Sequence, residues 1–168
     1  MILLDFVEFN DPKTVPDNLK AFACTHCKKV LMSKVLLNRL AELRDKVNLQ
    51  YKVNSGYRCP EYNSKVPGAA SQSYHTLGRA VDISFNNKLN AIETFKITAS
   101  IFNRVGLYKS NAFPNGAYMH VDCESPKRYW LSYRNASGKQ IYIYYTSIDM
   151  LLSAAKSDKN INWFNLVI

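Results

Sequence analysis

Two short stretches hold residues whose types and spacing can do chemistry. The first runs Ser71-Gln-Ser-Tyr-His75-Thr-Leu-Gly78-Arg-Ala-Val-Asp82-Ile-Ser-Phe85, and the second is Tyr118-Met-His120-Val-Asp122. Read as strands, both alternate. In Arg79 to Phe85 the apolar Val81, Ile83 and Phe85 point one way, while Ala80, Asp82 and Ser84 point the other. In Ala117 to Glu124, Met119, Val121 and Cys123 share one face, and Tyr118, His120, Asp122 and Glu124 share the opposite one. With the apolar faces packed on a core, Asp82, His120 and Asp122 project into one polar cleft. His75 stands just upstream, on a turn that Gly78 lets fold back. Two imidazoles and a carboxylate are the ligand set of a catalytic zinc that keeps one position open for water.

An H-x6-D or an H-x-D spacing arises readily by chance, and a lone His on a strand is usually just hydrogen-bonded. The signal lies in their combination with Ser55-Gly-Tyr-Arg58-Cys-Pro60-Glu-Tyr-Asn63 upstream, in this order. The ensemble resembles the zinc D-Ala-D-Ala metallopeptidases, a superfamily shared with vancomycin-resistance dipeptidases, lysostaphin-like endopeptidases and the hedgehog signalling domain. The family's blocks S-G-Y-R, S-x-x-x-H-x-x-G-x-A-x-D and H-x-D are all present, and the resemblance spans about Phe22 to Trp130.

The resemblance implies one zinc per chain, held by His75, Asp82 and His120. It also implies hydrolysis of peptide bonds involving D-amino acids in bacterial peptidoglycan. Such a protein is a stem carboxypeptidase or a crosslink endopeptidase, and the small chain with no expected signal suggests a bacterial-virus enzyme or a bacterial one exported unconventionally. Peptide hydrolysis needs a carboxylate to take the water's proton and pass it to the leaving amine. Several relatives place that acid three residues before the second His, where this chain has Ala117, so the H-x-D branch fits better. Strand parity offers Asp122 as general base, with Glu124 as the fallback. Arg58 can hold a carboxylate or carbonyl bidentately, and in related enzymes the matching Arg contacts substrate or stabilises the oxyanion. The competing role for Arg58 is a structural ion pair with a nearby acid. Ser71 and Ser73 bind substrate or orient the ligands, and Tyr118 lines the groove or simply packs. His26 is read as structural.

The elements that must position these residues are legible in part. Ser33 is a plausible N-cap for a helix to about Val47, with Leu36, Leu40, Leu43 and Val47 in one apolar stripe. Tyr51 to Ser55 reads as a strand leading into Gly56-Tyr57-Arg58, stopped by Pro60, with Glu61 to Ala70 a loop turning at Pro67-Gly68. A second helix begins near Asn86 to Asn90, buries Ile92, Phe95, Ala99 and Phe102, and takes Gly106 as its C′ residue. Leu107 to Gly116, with Pro114-Asn-Gly turn chemistry, is a loop back to the Tyr118–Cys123 strand. Tyr129 to Arg134 and Lys139 to Thr146 form a hairpin, Ser147 caps a short helix through Ala155, and Ile161 to Ile168 is an apolar tail that packs. Residues 1 to 20 read as an irregular arm, and Phe22 to Cys27 as a short strand or turn. The fold class is α+β: an antiparallel sheet carrying the site, with helices packed on one face.

The 168 residues form a single domain, with 47% apolar and 21% charged residues and no apolar run long enough to span a membrane. The start, Met-Ile-Leu-Leu-Asp-Phe-Val-Glu, has no basic n-region, so no signal peptide is expected. The protein is then made in the cytoplasm of a bacterium or an infected host and reaches the wall after release or by unconventional export. Net charge is +9. Its Lys and Arg are scattered rather than clustered, which favours an anionic cell wall over specific nucleic acid as partner. A monomer is expected. Cys24, Cys27, Cys59 and Cys123 read as buried free thiols or as a disulfide formed after release. Cys24-Thr-His26-Cys27 resembles half a zinc knuckle, but no second CxxC follows, so a structural zinc is the weaker reading. The alternative to an enzyme is a non-catalytic zinc domain that binds cell wall or a protein partner; a nucleic-acid binder rests on charge alone.

Overall fold

The computed structural model describes residues 5–48, 50–85, 91–109 and 117–158. Its centre is a six-stranded sheet built from β3 (Tyr51–Ser55), β4 (Ala80–Phe85), β5 (Arg104–Lys109), β6 (Ala117–Asp122), β7 (Arg128–Arg134) and β8 (Gln140–Tyr145). The strand order is β3-β4-β6-β5-β7-β8. All neighbours run antiparallel except β5 and β7, so the sheet is mixed rather than wholly antiparallel. Two further strands, β1 (Phe6–Phe9) and β2 (Val30–Ser33), form a separate antiparallel pair.

Alternation divides the large sheet into two unlike faces. On one, Val81, Ile83, Val105, Leu107, Met119, Val121 and Leu131 are buried in the core. They join the apolar stripes of α1 (Lys34–Val47), α3 (Ala91–Ile101) and α4 (Ile148–Ser157), through residues such as Leu36, Leu40, Leu43, Phe95, Ala99, Leu151 and Leu152. Each fully buried Val, Leu, Ile, Phe or Met among them contributes about 1.5–3 kcal/mol relative to exposure. The helices therefore cover one face and leave the other for the site. Ser147 caps α4 by accepting from the Met150 amide, whereas Ser33 precedes α1 without a side-chain cap bond. Among the described residues no helix is long and apolar enough to cross a membrane.

Several local expectations need correction. Residues 1 to 20 are not wholly irregular, because Phe6–Phe9 pairs with Val30–Ser33. Pro60 does not end structure but opens a short helix, α2 (Pro60–Asn63), since a first-turn residue needs no amide hydrogen. Gly106 is not a helix C′ residue: α3 ends at Ile101 and Gly106 lies inside β5. Leu107 to Lys109, assigned to a loop, belong to that strand. The proposed helix start at Asn86–Asn90, the Pro114-Asn-Gly turn and the Ile161–Ile168 tail lie outside the described residues.

Candidate metal centre

His75 is placed by a 3-10 turn, Tyr74–Leu77, whose preceding Ser73 accepts from the His75 amide through its Oγ at 3.3 Å. Gly78 closes the turn at φ 65, and its amide donates to the His75 carbonyl. From the other side, the His75 ring donates Nδ1–H to the Gly56 carbonyl at 2.8 Å, and the Arg58 amide donates to the His75 carbonyl at 3.2 Å. Segment 56–58 thus grips both the ring and the backbone of His75. Asp82 and His120 face each other as register partners across β4 and β6, on the face away from the helices.

The three groups converge. His75 Nε2 lies 3.2 Å from His120 Nδ1 and 3.3 Å from Asp82 Oδ1, and His120 Nδ1 lies 2.9 Å from Asp82 Oδ1. Outer partners set the tautomers. With His75 Nδ1–H committed to the Gly56 carbonyl and His120 Nε2–H facing Asp122 Oδ2 at 3.3 Å, the inner nitrogens present lone pairs to a carboxylate oxygen. Three acceptors turned on one point repel unless a cation lies among them. A borderline-soft divalent ion suits this N2O donor set, and zinc fits it.

The electrostatics follow from the same crowding. Burial holds His75 below the usual imidazole value, against the pull of the Asp82 charge. Burial also opposes charge on His120, but hydrogen bonds and charges from Asp122 and Asp82 outweigh it and push His120 up to about 9. Burial works against the Asp82 carboxylate too. In their protonated forms, His75 first and then His120 outweigh it and would leave Asp82 far below the ordinary carboxylate range.

Around these groups lies a cavity of about 500 Å³. Its wall includes Arg58, Ser73 and Tyr118, all singled out in the sequence, together with His75, Asp82 and His120. Arg58 has a buried Nε without a hydrogen-bond partner, so the structural ion pair weighed against its functional role is not what the described residues show. Tyr118 stacks on Tyr108 with ring centroids 4.7 Å apart. Ser71 is exposed and away from the cavity wall, where its neighbours Gln72 and Ser73 stand instead.

Asp122 is the main displacement from expectation. Strand parity put it in the cleft beside His120, but its side chain is 0% exposed and sits behind the imidazole. There Asp122 meets His120 Nε2, Arg104 Nε at 3.5 Å and the Glu124 amide at 2.9 Å. The alternation was read correctly; depth was not. Asp122 is the last residue of β6, flanked by its register partners Ala80 in β4 and Arg104 in β5. Glu124 pairs instead with Arg79 at 3.5 Å, outside the cavity wall.

The sequence reading missed the aromatic and cationic lining: Trp130, Tyr108, Tyr142 and Tyr144, with Arg104 and Arg134. Trp130 packs on His120 with ring centroids 5.5 Å apart. It occupies the space above Gly106, where a Cβ would stand 2.1 Å from Trp130 Cε2. The alternation Ile141/Tyr142/Ile143/Tyr144 was a usable signal for two of these rings, though it reads equally as strand propensity.

The sequence model of the family described as peptidase M15 matches residues 16–122, well over half of the chain and all three site blocks. No curated protein and no solved structure matched the chain. With the ligand geometry and this match together, the chain belongs to the peptidase M15 family, zinc-dependent D-Ala-D-Ala metallopeptidases.

Proposed function

We propose that this zinc peptidase cuts within the peptides of bacterial peptidoglycan, at bonds involving D-amino acids, as an endopeptidase rather than a carboxypeptidase. The observation that carries the choice is the shape of the cleft. A second cavity, of about 530 Å³, meets the first at Arg58, Val66, Pro67, Asp82, Tyr118 and Arg134. A cleft that runs on past Asp82 and Arg58 suits a chain that continues beyond the scissile bond. The lining also carries Arg58, Arg104 and Arg134 against the single carboxylate Asp82 among the described residues, which suits peptides bearing free carboxylates.

His75, Asp82 and His120 would hold the zinc, which supplies Lewis-acid polarisation of a carbonyl and a water of lowered pKa. Arg58, which lines the cavity, holds the substrate carbonyl or a neighbouring carboxylate and steadies charge as the carbonyl carbon is attacked. Burial, and then the Asp82 charge, push the Tyr118 phenol up, so at neutral pH the ring lines the cleft in its protonated form. Asp122 is a positioning residue in this reading: it keeps the proton on His120 Nε2 and so aims Nδ1 inward. Asp122→Asn is therefore expected to weaken zinc retention by about 10–100-fold. Competition with a chromophoric chelator checks this, and unchanged zinc affinity with lost activity would return Asp122 to the role of proton acceptor.

The function itself is tested on purified peptidoglycan, with mass spectrometry of the soluble products. New amino and carboxyl termini within crosslinks, no new reducing sugar ends, and abolition by chelator with recovery on zinc are expected. Release of single terminal D-Ala residues alone would assign a carboxypeptidase. A second reading, a zinc domain that binds wall without cutting it, draws on the lack of a second carboxylate at the cavity wall among the described residues. Tight binding to sacculi with no cleavage by the zinc-loaded protein would favour it.

A further inference from the structure

The half-knuckle Cys24-Thr-His26-Cys27 acquires a partner that sequence spacing hides. Cys59, thirty-two positions beyond Cys27 and directly after Arg58, comes down onto the same turn, and the sulfur atoms of Cys24, Cys27 and Cys59 lie within 4.8 Å of one another. His26 places Nδ1 3.4 Å from Cys59 Sγ, and its half-exposed ring stacks on Tyr62. The backbone is shaped around the sulfurs. The Cys59 amide donates to Cys24 Sγ at 3.4 Å. The Lys28 amide donates to the Cys24 carbonyl at 2.8 Å, the Cys24 amide donates to the Lys29 carbonyl at 2.9 Å, and Lys28 turns the chain at φ 60. All of these cysteines are free thiols.

We propose that Cys24, Cys27 and Cys59, with His26 as fourth donor, form a second and structural zinc site. Three sulfurs and an imidazole are the donor set of closed, tetrahedral zinc centres, and soft thiolates select against magnesium or calcium. A disulfide would use two of the sulfurs and leave the third without purpose in the same cluster. Lys20, Lys28 and Arg58 line the same cavity as Cys24 and bring positive charge to that side of the cluster.

The location gives the site its use. The Tyr57 amide donates to the Phe22 carbonyl at 2.9 Å, and a Cβ on Gly56 would stand 2.5 Å from that same oxygen, so this strand exit lies hard against the Cys24 turn. The same few residues grip His75 and present Arg58 to the cleft. A metal joining Cys59 to the 24–27 turn locks that segment from behind. The sequence implies one zinc; the fold makes room for two.

Metal analysis of protein purified under reducing conditions without chelator tests this independently of any peptidase activity. Two zinc ions per chain are expected in the native protein, one in His120→Ala, and one in Cys24→Ser/Cys59→Ser. Reconstitution of His120→Ala with cobalt(II) should show sulfur-to-cobalt charge-transfer absorption in the near ultraviolet and the visible bands of a tetrahedral ion. Because His120→Ala keeps every cysteine, this arm stands even where the serine variant fails to fold. His26→Ala should shift the visible bands and speed loss of the ion to a chelator; unchanged spectra and loss rates would remove His26 from the set. A single zinc in the native protein, no thiolate band with cobalt, or a Cys24–Cys27 disulfide in the reduced preparation would overturn the proposal.

Discussion

Replacing His120 with alanine is expected to remove one zinc per chain and to lower peptide hydrolysis by about 10³-fold or more, with the chain still folded. His120 supplies one of three inward donors, and two remaining donors, His75 Nε2 and Asp82 Oδ1, hold a divalent ion poorly. Losing the metal removes several kcal/mol of transition-state stabilisation, which corresponds to that fall in rate. The fold should survive, because His120 lies on the cleft face while Met119 and Val121, its neighbours in β6, supply the packing. The buried Asp122 would also keep Arg104 and the Glu124 amide as partners. Zinc content, activity on peptidoglycan and circular dichroism of one preparation decide the matter. Unchanged zinc content with normal activity would refute the ligand assignment outright.

Gly78→Ala should act through the backbone instead. Gly78 has φ 65, and a Cβ there would stand 2.2 Å from the Leu31 carbonyl oxygen and 2.7 Å from its carbon. Neither atom can give way easily, since Leu31 lies in β2, held to β1, and the Gly78 carbonyl receives the Ser33 amide at 2.8 Å. A left-handed conformation costs an alanine about 1–3 kcal/mol and forced overlap about 1–3 kcal/mol more, so a loss of about 2–6 kcal/mol is expected. Because the residue links the His75 turn to the Asp82 strand, zinc affinity should fall with stability. Thermal unfolding with and without added zinc measures both. A variant within about 0.5 kcal/mol of the parent, the usual range for a harmless surface change, would show that β2 yields and that the contact is not a constraint.

Much of the site was legible because strand alternation is local. Parity alone put Asp82 and His120 on one face and Val81 and Val121 on the other, and the register pairs Asp82 with His120. The requirement for glycine after His75 was equally local, because no other residue adopts that turn so readily. The β5 strand was lost for a reason of the same kind. Leu107-Tyr-Lys109 is too short to announce itself, and Gly106 looked like a helix terminator when it is a gap left for Trp130.

By itself, then, the sequence determined which three side chains converge, the α+β class, the hairpin near the end of the described chain and the family, since each rests on residue order or on a period of two or 3.6. Depth and meeting were decided only in three dimensions. Asp122 has the right parity but is buried behind His120, because burial depends on what Arg104 and the neighbouring strands place around it. Cys59 joins Cys24 and Cys27 because the strand exit at Gly56 packs against Phe22 and its carbonyl. Parity says which way a side chain points; only the packing of distant segments says what it meets there.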